Sequence, residues 1–125
     1  MTRGVGVDVV DLERFAGVID RRPSFVTRVF TAAEQQYCEL AKAPVKRVER
    51  YAARFAAKEA VMKSLGVGLG AFGFHDVEVE RDEEGAPSVV LHGKAAALAA
   101  ERGASVFHLS LTHSELVAVA FVVAE

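Results

Sequence analysis

The chain has 125 residues, of which 51% are hydrophobic and 26% charged, and its formal net charge is −2; this fits one globular domain, residues 1–125, and excludes a disordered segment. No apolar run approaches the ~20 residues of a membrane span, no signal-peptide core follows the first residues, and the charge gives no global nucleic-acid footprint. The single cysteine, Cys38, excludes an internal disulfide and a Cys-rich metal cage, which suits a reducing cytoplasm.

Residues 4–10, GVGVDVV, alternate and are rich in β-branched side chains, which predicts a strand. Val5, Val7 and Val9 share one face, and Gly6, Asp8 and Val10 the other. Aspartate is depleted in strands, and this one sits between valines. It is either the end of the strand capping the next helix or a functional carboxylate, and Asp11 is the better cap. From Asp11 a helix runs over Leu12 to about Arg21, stopped by Pro23. Its inward face is Leu12, Phe15, Ala16 and Ile19. Arg14, Val18 and Arg21 lie together on the outward face, with Arg28 beyond: a solvated basic face, or a docking surface for an acidic partner.

Thr31 and Glu34 have capping-box spacing and predict a helix to about Lys42, broken at Pro44. The longest helix starts near Val45 and ends in glycine, with Lys63 in its last turn and Gly66 as the left-handed stop. Winding at ~100° per residue puts Val48, Tyr51, Ala52, Phe55 and Met62 on one buried stripe. Glu59 falls inside that stripe, where an ionised carboxylate is costly unless paired or bound to a cation. Lys63 is its i,i+4 partner, and Lys58 and Arg54 flank the stripe. Two readings fit: a surface ion pair at a rotated helix end, or a metal ligand among phosphate-binding cations. The second requires another carboxylate elsewhere in the chain.

Beyond the helix, Gly66, Gly68, Gly70 and Gly73 make a connector whose backbone can approach a phosphate. Residues 75–81 and 88–92 predict a hairpin around the turn at Asp82–Pro87, with Val77 and Val79 inward. An alanine-rich helix follows over 94–102, then strands over 105–113 and 116–124 joined by a tight turn at Ser114-Glu115. The last strand is apolar throughout, so both its faces need cover, one of them from a neighbouring subunit. The order β-α-α-α-β-β-α-β-β gives an α+β fold with a mainly antiparallel sheet packed on the long central helix.

Three stretches carry a resemblance: GVDVVDLERF near the start, RFAAKEAVMKSLG in the middle and LSLTHSELVAVA near the end. In this order and spacing, over the whole chain, they resemble the small-type 4′-phosphopantetheinyl transferases, the holo-[acyl-carrier-protein] synthases. The resemblance implies that family's fold and a Mg²⁺-dependent enzyme. The reaction would move the 4′-phosphopantetheine of coenzyme A to a serine of apo acyl carrier protein, from fatty-acid or polyketide synthesis, releasing adenosine 3′,5′-bisphosphate. Matched residue by residue, Asp8 and Glu59 would be the metal ligands. Lys58 and Lys63 would clamp phosphates, with Lys63 also stabilising or protonating the leaving group. Arg54, Gly66, Gly68 and His113 would contact the coenzyme. The serine proton would pass to Glu59 or, through water, to Asp8; the motifs do not choose between them.

Acyl carrier proteins are acidic, so the resemblance gives the basic helix its partner, with Arg14 as the main contact and Val18, Arg21 and Arg28 as helpers. It further implies a homotrimer with sites between subunits, where the turn at Gly85-Ala86-Pro87 reaches a neighbour's coenzyme. The chain departs from the family pattern at Val67, Ala86 and Ser114, all at coenzyme contacts. A non-catalytic carrier-binding subunit would leave Asp8 and Glu59 unexplained. A different nucleotide-dependent transferase would lack the usual phosphate-loop or dinucleotide-binding glycines.

Overall fold

Glycine at positions 4 and 6 decides where the first strand can lie. In the computed structural model, which describes residues 1–125, a Cβ at either position would lie 1.9 Å from a backbone oxygen of the long helix, Ser64 O for Gly4 and Ala60 O for Gly6. The first strand, β1 (Gly4–Asp11), can therefore lie directly on that helix, as no strand with side chains there could. Gly6 and Val10 are buried on this contact, whereas Val5, Val7 and Val9 face outward.

The remaining elements follow in order: α1 (Leu12–Arg21), α2 (Ser24–Val29), α3 (Ala32–Glu39), α4 (Pro44–Ser64), β2 (Val77–Arg81), β3 (Pro87–Leu91), α5 (Gly93–Glu101), β4 (Phe107–His113) and β5 (Val117–Ala124). A single 3₁₀ turn, Phe74–Asp76, leads into β2. The caps are the expected ones. Asp11 accepts the amides of Glu13 and Arg14, and Thr31 and Glu34 form a complete capping box. At the end of α4, Gly66 has φ +73°, and the amides of Gly66 and Val67 close onto Lys63 O and Met62 O. That is a Schellman motif, with orphan carbonyls satisfied by a left-handed glycine.

All strand pairs are antiparallel, in two sheets with orders β1-β5-β4 and β2-β3. Alanines let the larger sheet approach α4 closely: Ala118, Ala120 and Ala124 of β5 and Ala52, Ala56 and Ala60 of α4 are buried in one continuous core. Two expectations need correction. The expected order has three helices before the hairpin and the structure has four: the first helix does stop before Pro23, and residues 24–29 then form the short helix α2 with Pro23 at its N-cap. The single buried stripe on the long helix is also too narrow. The second half of α4 is covered on nearly all sides, so Ala53, Arg54, Lys58 and Val61 are as buried as Tyr51 and Met62.

One face of β5 packs on α4; the other does not find cover within the chain. Val5, Val7 and Val9 of β1 are 57%, 51% and 59% exposed, and Phe121 beside them on β5 is 46% exposed. No helix is long and apolar enough to cross a membrane.

Candidate active site

The placement of β1 on α4 sets Asp8 beside the last turns of the helix. Asp8 and Glu59 line the same cleft, of about 450 Å³, with Arg14, Phe15 and Val18 of α1 and Phe55 of α4. Lys63 donates to Asp8 Oδ1 at 3.2 Å and to Val7 O at 2.9 Å. Glu59 makes no hydrogen bond or ion pair with the chain; burial, and then the charge of Asp8, push its carboxyl above the usual range, while Lys63 pulls the other way. Two carboxylates therefore share the cleft while the nearby ammonium is bonded to Asp8 alone, leaving the negative charge of Glu59 unmatched. This donor set suits a hard divalent cation that takes oxygen ligands and completes its shell with water and substrate oxygens. No third metal-ligating side chain joins the pair.

A second, larger cleft of about 710 Å³ opens on the other side of α4. At about 100° per residue, Arg50, on its wall, stands half a turn round the helix from Glu59. Its lining includes Lys42, Lys46, Arg50, Arg54, Arg81 and His113, with Glu49 as the one carboxylate. Glu49 is taken up by Lys46 at 3.0 Å, with His113 Nε2 at 3.7 Å from the same oxygen. Arg54 is 4% exposed, and burial lowers its pKa. One of its Nη atoms donates to Arg50 O, while Nε is buried without a partner. A desolvated guanidinium with an open donor at the wall of a basic cleft is suited to an anion.

Among the expected site residues, then, the structure brings Asp8, Glu59 and Lys63 together with Arg14 and Val18, and places Arg54 and His113 in the opposite cleft. Lys58 joins neither group, which corrects the expectation that it clamps a phosphate. Its side chain is fully buried, and its ammonium donates to Glu34 Oε1 at 2.8 Å, Phe74 O at 3.1 Å and Val77 O at 2.5 Å. All three N–H bonds are spent, so none is left for a ligand. Glu34 in turn accepts from Thr31 N and Val79 N. The pair ties α3, α4 and β2 together and is a strut. Gly66 sits with Lys63, Arg3 and Arg102 around a small polar recess, while Gly68 has open space about its Cα and lines neither cleft. Arg21 continues the exposed face of α1 one turn beyond Val18, and Arg28 is exposed on α2.

Sequence reasoning missed Tyr37, Arg50 and Arg81. The guanidinium carbons of Arg50, Arg54 and Arg81 stand 4.2, 4.2 and 4.8 Å from the centroid of the Tyr37 ring. No periodicity marks residues contributed singly by α3, α4 and β2.

Residues 4–120 match the model of the 4′-phosphopantetheinyl transferase superfamily. A holo-[acyl-carrier-protein] synthase of Koribacter versatilis (strain Ellin345) is 46% identical over 127 residues, covering 100% of this chain and 99% of that protein. One from Frankia casuarinae is 51% identical over 122 residues, covering 98% and 96%. Among solved structures, the crystal structure of holo-[acyl-carrier-protein] synthase from Neisseria meningitidis superposes with a TM-score of 0.87 at 34% identity, covering 100% of this chain and 99% of that one. The Bacillus anthracis synthase in complex with CoA (3′,5′-ADP) gives 0.83 at 34% identity, covering 100% and 97%.

Proposed function

This chain belongs to the 4′-phosphopantetheinyl transferase superfamily, and from that premise we propose that it is a holo-[acyl-carrier-protein] synthase whose reacting centre is the cleft of Asp8 and Glu59. The chain, residues 1–125, acts as one domain, which its continuous core supports. It transfers the 4′-phosphopantetheine of coenzyme A to a serine of apo acyl carrier protein. The serine oxygen forms a bond to the phosphorus that bears the pantetheine, the bond from that phosphorus to the bridging oxygen breaks, and adenosine 3′,5′-bisphosphate leaves. The observation that carries this reading is the shared cleft, in which the unmatched carboxylate pair stands beside Arg14 and Val18 of the basic helix.

Asp8 and Glu59 would hold Mg²⁺, which when bound supplies neutralising charge at the pyrophosphate. Phosphoryl transfer depends mainly on positioning and charge stabilisation, and the residues of the chain divide that work. Lys63, held by Asp8 and Val7 O, is placed to meet charge developing on the leaving group. Asp8 is engaged by Lys63 whereas Glu59 has no such partner, so Glu59 would be the acceptor for the serine proton. Arg14, Val18 and Arg21 present one exposed face to an acidic carrier helix, with Arg28 extending the positive field from α2.

The cations for the rest of the coenzyme are in the opposite cleft, which shares no lining residue with the first. We therefore infer a homotrimer in which the carboxylate cleft of one copy meets the Arg54–His113 cleft of the next. The uncovered valine face of β1 and Phe121 support it, because a contiguous exposed apolar face on a small chain marks an interface. Action in the cytoplasm fits the single buried, unpaired thiol of Cys38.

The test is the intact mass of an apo acyl carrier protein incubated with this protein, coenzyme A and Mg²⁺, with and without EDTA. The expected result is the gain of one phosphopantetheine, lost on chelation. Unmodified carrier that nonetheless binds the protein would contradict the reading.

A further inference from the structure

A glycine in the middle of a surface helix needs a reason. Gly17 lies inside α1, where glycine is destabilising relative to alanine because it has more backbone freedom to lose. The reasons that explain other glycines of this chain do not apply. Gly17 is not among the glycines of positive φ, so the left-handed freedom used at Gly66 and Gly103 is not used here. Nor does another element press on it, as α4 presses on Gly4 and Gly6. The nearest atoms that a Cβ at position 17 would meet belong to the Arg21 side chain, with Nη1 at 3.0 Å and Cζ at 3.8 Å. The guanidinium of Arg21 therefore lies back along the helix over position 17, toward the N-terminus, the direction in which helical side chains lean. Neither Arg21 nor Arg14 is paired with a carboxylate of the chain.

Arg14, Gly17, Val18 and Arg21 stand at i, i+3, i+4 and i+7, a single stripe on the helix. Of these, Arg14 and Val18 line the carboxylate cleft. Laid over Gly17, the guanidinium of Arg21 sits about 6 Å back along the axis from its own backbone, and so closer to that cleft. The two unpaired cations then flank Val18 instead of trailing away along α1. A cation already lying on the helix surface also has less freedom to lose on pairing than one extended into solvent. On the reading that α1 docks the carrier, on which this step rests for the identity of the partner, we propose that Gly17 is a positioning residue for carrier recognition. Its missing side chain lets Arg21 lie down toward the cleft, so that Arg14 and Arg21 together meet the acidic helix of the carrier protein.

Substitution at Gly17 should move stability and recognition in opposite directions, which a merely structural residue would not do. Alanine is the better helix former and meets only the mobile end of Arg21, so Gly17→Ala should raise Tm by about 2–5 °C. Its affinity for apo acyl carrier protein, measured by calorimetry at low salt without coenzyme A, should fall about threefold. Gly17→Leu fills the space that the guanidinium occupies and should match Arg21→Gln, each weakening binding about fivefold. The double variant Gly17→Leu with Arg21→Gln should lose no more than Arg21→Gln alone, because both changes remove the same cation from the same place. In the transfer assay Gly17→Leu should raise KM for the carrier about fivefold and leave KM for coenzyme A as it was. Unchanged carrier affinity in both Gly17 variants would overturn the proposal, as would additive losses in the double variant or equal weakening toward both substrates. A carrier with no affinity for the wild type would overturn it too. A carrier that binds, loses affinity in Gly17→Leu and yet gains no phosphopantetheine would sink the transfer reading while supporting the role of Gly17.

Discussion

The clefts on either side of α4 are built in opposite ways. The carboxylate cleft takes Asp8 and Glu59 from two segments in direct backbone contact, β1 and the second half of α4, with α1 as its other wall, and these acids have less cation nearby than they need. The cationic cleft gathers side chains from α3, α4, β2, β3 and β4, and its arginines have almost no acid nearby. Each is electrostatically incomplete, with opposite sign. A polyanionic donor bridged to a divalent cation would complete both at once, which is why charge imbalance within one chain points to function and to a second copy.

The sharpest way to break this contrast is to neutralise Glu59. Glu59→Gln should reduce transfer at least about a thousandfold, because the remaining carboxylate cannot hold the charge balance of the centre alone. Stability should move the other way. Burial and Asp8 raise the carboxyl of Glu59, so the folded chain keeps a proton that the unfolded chain has released, and stability falls as pH rises from about 4.5 through the folded value. The variant lacks that loss. Its Tm at pH 7.5 should equal or exceed that of the wild type, and a clear fall would show that Glu59 is a structural ion-pair partner instead.

Two lysines on one helix sharpen the contrast further. Lys58→Met leaves Glu34 buried and unpaired, a change expected to cost about 3–5 kcal/mol of stability; adding Glu34→Gln should recover part of it. Lys63→Ala removes a half-exposed cation, so it should lower kcat about a hundredfold with a stability change under about 1 kcal/mol. Urea unfolding and transfer kinetics on the same samples separate the two. Equal losses of stability would erase the distinction drawn between strut and catalytic group.

The smallest effect is expected at the rim. Arg14→Glu should raise KM for acyl carrier protein about tenfold at low salt and leave KM for coenzyme A as it was. A change in both would move Arg14 from docking to coenzyme binding.

The carboxylate cleft was legible in the sequence because both its acids break an apolar pattern, Asp8 in an alternating strand and Glu59 in a helical stripe. A misplaced charge is visible against a regular background. The cationic cleft was legible only at Arg54 and His113, through the motifs that contain them. Tyr37, Arg50 and Arg81 belong to no common periodicity and meet only when α3, α4 and the β2-β3 hairpin pack. Lys58 was misjudged for a related reason. A stripe argument assumes one wet side, and α4 is enclosed over its second half by sheet, helices and hairpin, so a lysine on the supposed flank ends in the interior. The helix α2, six residues long and without a side-chain cap, falls below what periodicity can mark. Gly4 and Gly6 read as ordinary strand residues, yet they are what let β1 lie on α4.

The central claim is that one active site takes its carboxylates from one copy and its arginines from another. Asp8→Ala and Arg54→Ala should each be inactive at subsaturating coenzyme A, and the most direct measurement is the activity of trimers refolded from an equal mixture of the two. If the clefts join across subunits, a site with both halves intact forms at about a quarter of the interfaces, and activity should return toward that fraction of wild type. A mixture as inactive as its components would place both halves in one chain and contradict the account.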